Sequence, residues 1–489
     1  MIKKDGNSTW SRKDTWIIIL VLFIALIFRL YKVNTPLADL HSWRQADTAA
    51  VARNFANDGF NLLYPKYDDL SSIQSGKENP QGLRLVEFPL YNAIVAALYN
   101  AFGILPIEVY GRLVTIFSSL FVLGILYYFV LREFNRVAAI FTTLIYATFP
   151  FFVFFNRVVL PETTSLSFAF GSLFLAYLWT SEKTQWKAIV LITAASLLFS
   201  LSLLIKPMSI FFLISLAYLF WIKHSIRLLV KPETYLFLFM AFAPLVLWRW
   251  HISNLPEGVP AAGWLLTSVN TSEGLKNIFF RPAFFRWIFL ERINNLILGG
   301  YLTFFVILGI LVKNRGIFLY SLLISALAYL FVFQGGNVQH EYYQTFILPS
   351  LAVFTGIGLH FTISNQRFFI NKVVSIPVII FLVVLSFGFS YYQVKNYYNY
   401  SSDLVQIGKI VETVTQRNDL LVTDTMGDTT LLYLSKRKGA PAEYKTLPEL
   451  KNLGYNYYLT MNKEKSQDLK TEGEFTTIFE NDKFTLFKL

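Results

Sequence analysis

The sequence predicts a polytopic α-helical membrane protein with a small α/β region at its C-terminal end. Three observations predict it. Of the 489 residues 54% are hydrophobic, 17% are aromatic, and only 15% are charged, where a soluble domain carries about a quarter. The apolar residues form continuous runs, such as Ile17-Ile18-Ile19-Leu20-Val21-Leu22-Phe23-Ile24. In lipid only helices and closed barrels satisfy the backbone, and a barrel would alternate with period two. The long apolar runs stop near residue 392, and the remaining residues read as alternating short helices and strands.

Runs long enough to cross a bilayer fall at 14–31, 110–131, 137–155, 163–180, 187–205, 208–222, 234–250, 296–312, 316–333, 345–363 and 373–391, eleven spans in all. Trp16–Leu30 lacks a small-residue cleavage site and is expected to be retained, not removed as a signal peptide. Phe88–Ile104 carries Pro89, Asn92 and Asn100 beside Glu87, and is read as an interfacial helix. Charge supports that count. With the N-terminus in the cytoplasm, the inner segments hold Lys3, Lys4, Arg12 and Lys13, then Arg132 and Arg136, Lys183 and Lys187, Lys223, Arg227 and Lys231, Lys313 and Arg315, and Arg367 and Lys372. Cations prefer the cytoplasmic side. The net charge of +12 is thus a topology signal and calls for no nucleic acid.

The outer side receives 32–109, 156–162, 206–207, 251–295, 334–344 and everything beyond about 392. Long outer loops are usually functional. Within the first, Ala46–Phe55 reads as an amphipathic helix ending at Gly59. The domains expected are a transmembrane module, 1–392, and an extracytoplasmic α/β domain, 393–489. In the latter, Asp403–Gln416 has helical period, Asp419–Asp424 and Tyr455–Thr460 read as strands with a short helix Leu447–Leu453 between them, and Asn481-Asp482-Lys483 as a hairpin turn between Phe475–Glu480 and Phe484–Lys488. Asp424-Thr425-Met426-Gly427-Asp428 reads as turn chemistry, so this domain is expected to shape acceptor access without catalysing. There are no cysteines, hence no disulfide or thiolate chemistry. No internal repeat or phosphate-cradling glycine loop occurs; Gly335-Gly336 is too short.

Five clusters of reactive residues are expected on the outer face: Asp39, His41, Arg44 and Asp47; Glu87-Phe88-Pro89; Asn156-Arg157 through Pro161-Glu162; Lys206-Pro207; and Gln339-His340-Glu341-Tyr342-Tyr343. Each has a plain structural explanation alone: Arg157 and Lys206 as snorkelling cations, Tyr342 and Tyr343 as interfacial aromatics, Asp39 as a helix cap. Together they suit a lipid-linked phosphate. Cations hold the phosphate, a carboxylate takes a proton from an acceptor hydroxyl, and grooves between spans hold the lipid tail. A transporter or flippase, the alternative reading, places charges near the membrane midplane and often shows internal repeats.

The order of these motifs along residues 10 to 391, and most of all His41-Ser42-Trp43-Arg44-Gln45-Ala46-Asp47-Thr48-Ala49-Ala50-Val51-Ala52-Arg53-Asn54-Phe55, resembles the GT-C glycosyltransferases. The branch is family 39, with the protein O-mannosyltransferases and the lipid A aminoarabinose transferase. The resemblance implies inverting transfer of a sugar from a polyprenyl-phosphate (undecaprenyl-type) donor to an extracytoplasmic lipid, glycan or protein at the outer face of the plasma (inner) membrane. It implies an Asp just after the first span as base, which is Asp39, with Asp47 the other choice. Glu162 matches a second acidic position. The adjacent Asp-Glu pair of the family is absent. Glu87-Phe88-Pro89 replaces its Lys-Pro-Pro, so Arg44, Arg157 or Lys206 must supply the missing cation. His41, Glu87, His340, Tyr342 and Tyr343 complete the expected substrate contacts. Some relatives use a divalent metal, for which Asp39, Glu162 and His340 are the candidate ligands.

Overall fold

The structure is a computed structural model that describes residues 10–260, 282–312, 316–365 and 371–489. Lys3, Lys4, Lys313, Arg315, Arg367 and the middle of the 251–295 loop lie outside the described residues. In chain order the helices are α1 (Arg12–Leu30), α2 (Ser42–Asp58), α3 (Leu90–Phe102), α4 (Ile107–Glu133), α5 (Arg136–Thr148), α6 (Pro150–Phe155), α7 (Glu162–Ser181), α8 (Gln185–Ile205), α9 (Leu213–His224) and α10 (Pro232–Ser253). There follow α11 (Pro282–Phe285), which runs into a π-helix (Arg286–Ile297), α12 (Leu302–Leu311), α13 (Ile317–Val332), α14 (Gln334–Gln339), α15 (Leu348–Ser364), α16 (Lys372–Val394), α17 (Ser402–Val414), α18 (Thr430–Leu434), α19 (Leu447–Asn452) and α20 (Lys463–Glu472). Five strands complete the order: β1 (Leu421–Thr423), β2 (Gly439–Ala440), β3 (Tyr457–Thr460), β4 (Thr476–Glu480) and β5 (Thr485–Lys488).

The chain divides into two compact units. The first comprises Met1–Val33, Arg112–Trp248 and Gly263–Asn396; the second, Asn34–Gly111, Arg249–Ala262 and Tyr397–Leu489. Among the described residues, six helical segments are long and apolar enough to cross a membrane: Ile107–Glu133, Gln185–Ile205, Pro207–Val230, Pro232–Ser253, Glu341–Ser364 and Val373–Val414. A bent pair, Pro282–Ile297 with Leu302–Leu311, makes a seventh if it counts as one span. Shorter apolar helices are α3, α5 and α13.

Two expected spans are reshaped by their own residues. The run 137–155 is two helices, not one, because Pro150 opens α6 after extended Phe149; proline suits a first helical position and breaks the turn before it. The run 296–312 is interrupted at Gly299 and Gly300, whose φ of 61° and 84° no continuing helix allows, and the segments on either side meet at 113°. In the first unit α7 and α8 form a hairpin of 20 and 21 residues. Equal lengths bring the first residue of α7 and the residue after α8 to the same end.

In the second unit the strands form one sheet in the order β2-β1-β3-β5-β4. β2, β1 and β3 pair in parallel, and β5 is antiparallel to both β3 and β4. The β4–β5 turn falls on Asn481, Asp482 and Lys483, where Asn481 accepts from the amides of Lys483 and Phe484. A cluster of Val422, Leu450, Tyr458, Leu469 and Phe487 fills one face, and Ile407, Val411, Leu431, Leu459 and Leu486 the other. The sheet does not end at β2. The Gly439 amide donates to Asp68 O at 2.8 Å, and the Leu70 amide to Gly439 O at 2.7 Å. The early loop is thereby stitched to the C-terminal sheet edge, which is why 34–111 and 397–489 fall in one unit. Glycine is required there, because a Cβ on Gly439 would stand 1.7 Å from Leu421 O.

Candidate active site

The residues singled out from the sequence divide between the two units. In the second unit they line up on α2 and the segments beside it. The chain turns into α2 at His41, which holds the left-handed conformation, φ 57° and ψ 35°. Such a conformation is costly for a residue with a side chain. His41 O accepts the amides of Arg44 and Gln45, which closes the first turn. The bend folds Asp39 and Leu40 back over that turn. The buried Gln45 side chain donates from Nε2 to Asp39 Oδ1 at 2.7 Å and to Leu40 O at 2.9 Å.

Several other charges in this unit are paired. Arg44 bonds Glu87. Asp47 is 1% exposed, meets Arg84 at 2.8 Å, and accepts from Thr429 Oγ1 at 2.6 Å. Arg53 bonds Asp68, donates to Tyr433 O at 2.9 Å, and lies 4.5 Å from the Tyr433 ring centre. Tyr433 in turn donates to Glu108. α3 is tied to α2 by Asn92, which donates to Thr48 O at 2.6 Å. Burial pushes the Asp68 carboxyl up against the pull of Arg53. It also pushes Asp69 up to about 6, although the Ser71 hydroxyl and amide bond that carboxylate. The Asp424–Asp428 segment is a turn, with Met426 and Gly427 at positive φ. Its carboxylates bond local groups: Asp424 accepts from Thr460 Oγ1 and the Met461 amide, and Asp428 from the Thr430 amide.

In the first unit Glu162 begins α7 and Lys206 follows α8, and Nζ stands 2.8 Å from Oε1. Both are buried. The pair sits well electrostatically, since helix N-termini favour anions and C-termini cations. Lys206 Nζ lies 5.7 Å from the Tyr343 ring centre. Tyr342 packs against Tyr343 at 4.5 Å and stacks on His340 at 5.2 Å. The neighbouring Glu341 is ion-paired with Arg292. Lys206, Glu162, His340, Tyr342 and Tyr343 are thus one cluster. Arg157 is fully buried, and its guanidinium donates to Lys32 O at 2.8 Å and Tyr31 O at 3.2 Å. Arg112 donates to Val33 O at 2.7 Å. These two arginines hold the carbonyls of the C-cap of α1, Tyr31, and of the turn that follows it.

Among the described residues no group of three His, Asp or Glu side chains could hold a metal ion. Gln45, Arg84 and Arg292 were not singled out from the sequence. Gln45 stands inside the very motif that was; its signal is its place in the first helical turn after Asp39. Arg84 and Arg292 pair with residues far along the chain and carry no local signal.

Residues 88–250, a third of the chain, match the family described as dolichyl-phosphate-mannose-protein mannosyltransferase. Among curated proteins no sequence matches significantly. Among solved structures the chain is similar to ArnT from Cupriavidus metallidurans bound to undecaprenyl phosphate, with a TM-score of 0.66 and 13% identity over 97% of this chain and 98% of that one. The apo form of the same protein gives 0.66 and 14%, over 98% of each chain. The archaeal oligosaccharyltransferase AglB from Archaeoglobus fulgidus, in complex with an inhibitory peptide and a dolichol-phosphate, gives 0.57 and 11%, over 92% of this chain and 70% of that one. Set beside the partial family match, these likenesses show that the chain shares the fold of the ArnT and AglB structures.

Proposed function

We propose that the protein is an inverting glycosyltransferase that moves a sugar from a polyprenyl-phosphate donor to an extracytoplasmic acceptor. The observation that carries this reading is the fold shared with ArnT through nearly the whole chain, together with the mannosyltransferase match over 88–250. The undecaprenyl phosphate of the ArnT complex and the dolichol-phosphate of the AglB complex support a lipid-phosphate donor of the same class.

In this reading Asp39 accepts the proton of an acceptor hydroxyl. The freed oxygen attacks the anomeric carbon of the sugar, the bond from that carbon to the phosphate oxygen breaks, and polyprenyl phosphate leaves with the electron pair. Lys206 meets the phosphate charge, and Glu162 holds the ammonium in place between turnovers. His340 and the Tyr342–Tyr343 pair flank it. Asp47 and Arg157 hold structure: the first is locked to Arg84 and Thr429, the second bonds the carbonyls that follow α1.

Eleven spans, a cytoplasmic N-terminus and an active site on the outer face of the plasma membrane belong to the same reading. The cation distribution supports them. Mass spectrometry of lipid that co-purifies with the protein tests the function. A polyprenyl-phosphate sugar should be found, and the purified protein should transfer that sugar to acceptor material from cells lacking the protein. No such lipid and no transfer would refute the proposal.

A further inference from the structure

We infer that a polar cavity at the C-terminal end of α2 binds the remote part of the acceptor, and that the acceptor is therefore an extended glycan. The inference rests on the glycosyltransferase reading, with its chemistry at the start of α2. The cavity has a volume of about 960 Å³, the size of a ligand pocket. Residues four apart share one side of a helix, so Arg53 with Asn57 and Asn54 with Asp58 bring the last turns of α2 to it. The facing walls are the segments 417–420 and 436–438. Arg437 ties the second of these to the end of α17. Its guanidinium donates to Thr415 O at 2.7 Å, Thr415 Oγ1 at 2.8 Å and Glu412 O at 2.9 Å. The wall thus holds its shape through its own bonds.

The chemistry of the lining selects the ligand. Among the described residues Leu420 is the one apolar residue in it, so a lipid tail or an apolar peptide anchor has no seat. Three cations already face carboxylates: Arg53 with Asp68, Lys436 with Glu412 at 2.7 Å, and Lys438 with Asp58 at 3.8 Å. An anionic ligand has to compete with these pairs. A sugar hydroxyl competes with none of them, because it both donates and accepts. Groups that can meet it are present. Asp68 is 2% exposed, and its Oδ1 has no hydrogen-bond partner among the described residues, which is costly until a donor arrives. Asn57, Arg417 and Asn418 are exposed beside it, and their side chains bond nothing else among the described residues. At about 1.5 Å per residue, α2 carries Asn57 roughly 22 Å beyond Ser42, where the helix begins. A ligand that reaches both ends of α2 is several sugar units long.

The full-length protein in lipid nanodiscs, with the co-purifying polyprenyl-phosphate sugar as donor, is assayed on glycan from cells lacking the protein. That glycan is cut by partial acid hydrolysis and sorted by length. Wild type should show a KM about tenfold lower for the long fractions than for the shortest. Asn57→Ala combined with Arg417→Ala removes two exposed groups that hold no other part of the fold. It should raise KM for the long fractions about tenfold, while their kcat and the KM of the short fractions stay within about twofold. Asn418→Trp, which fills the cavity, should do the same. A role in stability alone would lower the melting temperature and touch both lengths equally. Equal KM for long and short fractions in wild type, or an unchanged long-fraction KM in both variants, would overturn the inference and leave the glycosyltransferase intact. Transfer to protein and none to glycan would overturn it as well. No transfer to any acceptor by wild type would remove the proposed function, and this inference with it.

Discussion

Asp39 and Asp47 lie eight residues apart in one motif. The Asp39 carboxylate accepts from the Gln45 amide, and Asp47 is ion-paired with the buried Arg84 and accepts from the Thr429 hydroxyl. Asp39→Asn is expected to lower turnover by roughly two to four orders of magnitude with little change in melting temperature. Asp47→Asn should do the reverse, costing about 3–5 kcal/mol because Arg84 is left buried and unbalanced; thermal melts and turnover on the same preparations check both. Lys206→Ala should weaken donor binding about tenfold or more, from loss of a charge-assisted contact of about 1.5–3 kcal/mol, measured by lipid-phosphate titration. Asp69 gives a pH dependence. Its folded carboxyl titrates at about 6 against an unfolded value near 4, so the folded state binds the extra proton. The stability it contributes is complete below about pH 4 and is lost as pH rises through about 6, some 3 kcal/mol by linkage. Melting temperatures of wild type should fall across that window, and those of Asp69→Asn should fall less. Asp39 and Lys206 stand out in the sequence because ionisable residues at the border of an apolar run are costly unless paired or used. The sequence could not show that Arg157 bonds the carbonyls that follow α1, because those carbonyls lie more than a hundred residues away.

At the scale of elements, legibility followed local signals. The helix read within Ala46–Phe55 and its stop at Gly59 correspond to α2, which begins four residues earlier because the bend at His41 starts it; it is not amphipathic, because Arg44 through Ala52 are buried on every side. Tyr457–Thr460 and the β4–β5 turn sit where β-branched, aromatic and Asn-Asp residues place them. β2 was not legible: two residues, Gly439 and Ala440, carry no alternation and become a strand only through β1 on one side and Asp69 on the other. The breaks at Pro150 and at Gly299-Gly300 were visible as letters but were outweighed by the apolar run around them. Gly439→Val is expected to unfold the second unit or cost about 2 kcal/mol or more, because its side chain meets the β1 backbone at well under contact distance and cannot be relieved by a rotamer change. Proteolysis of the second unit at rising protease concentration reads this out.

For the whole molecule, composition alone decided that the chain is a helical membrane protein, since lipid leaves so few solutions. What composition could not reveal is that the last 90 or so residues are joined in one compact unit with the first long loop, which long-range backbone pairing alone decides. A chain truncated after Asn399 is therefore expected to lose the fold of residues 34–111 as well, visible as rapid digestion of that loop. A reporter active only in the cytoplasm, fused after Leu489, should be silent; a strong signal would reverse the topology. The stitch between the early loop and the sheet edge also sets a clock. Arg53 waits for a partner 380 residues downstream, the carbonyl of Tyr433. At roughly 5–20 residues per second of synthesis, that wait is on the order of 20 to 75 seconds. During it, the early loop can close only its own pairs, such as Arg44 with Glu87 and Arg84 with Asp47, while its contacts with the C-terminal sheet wait until translation is almost finished.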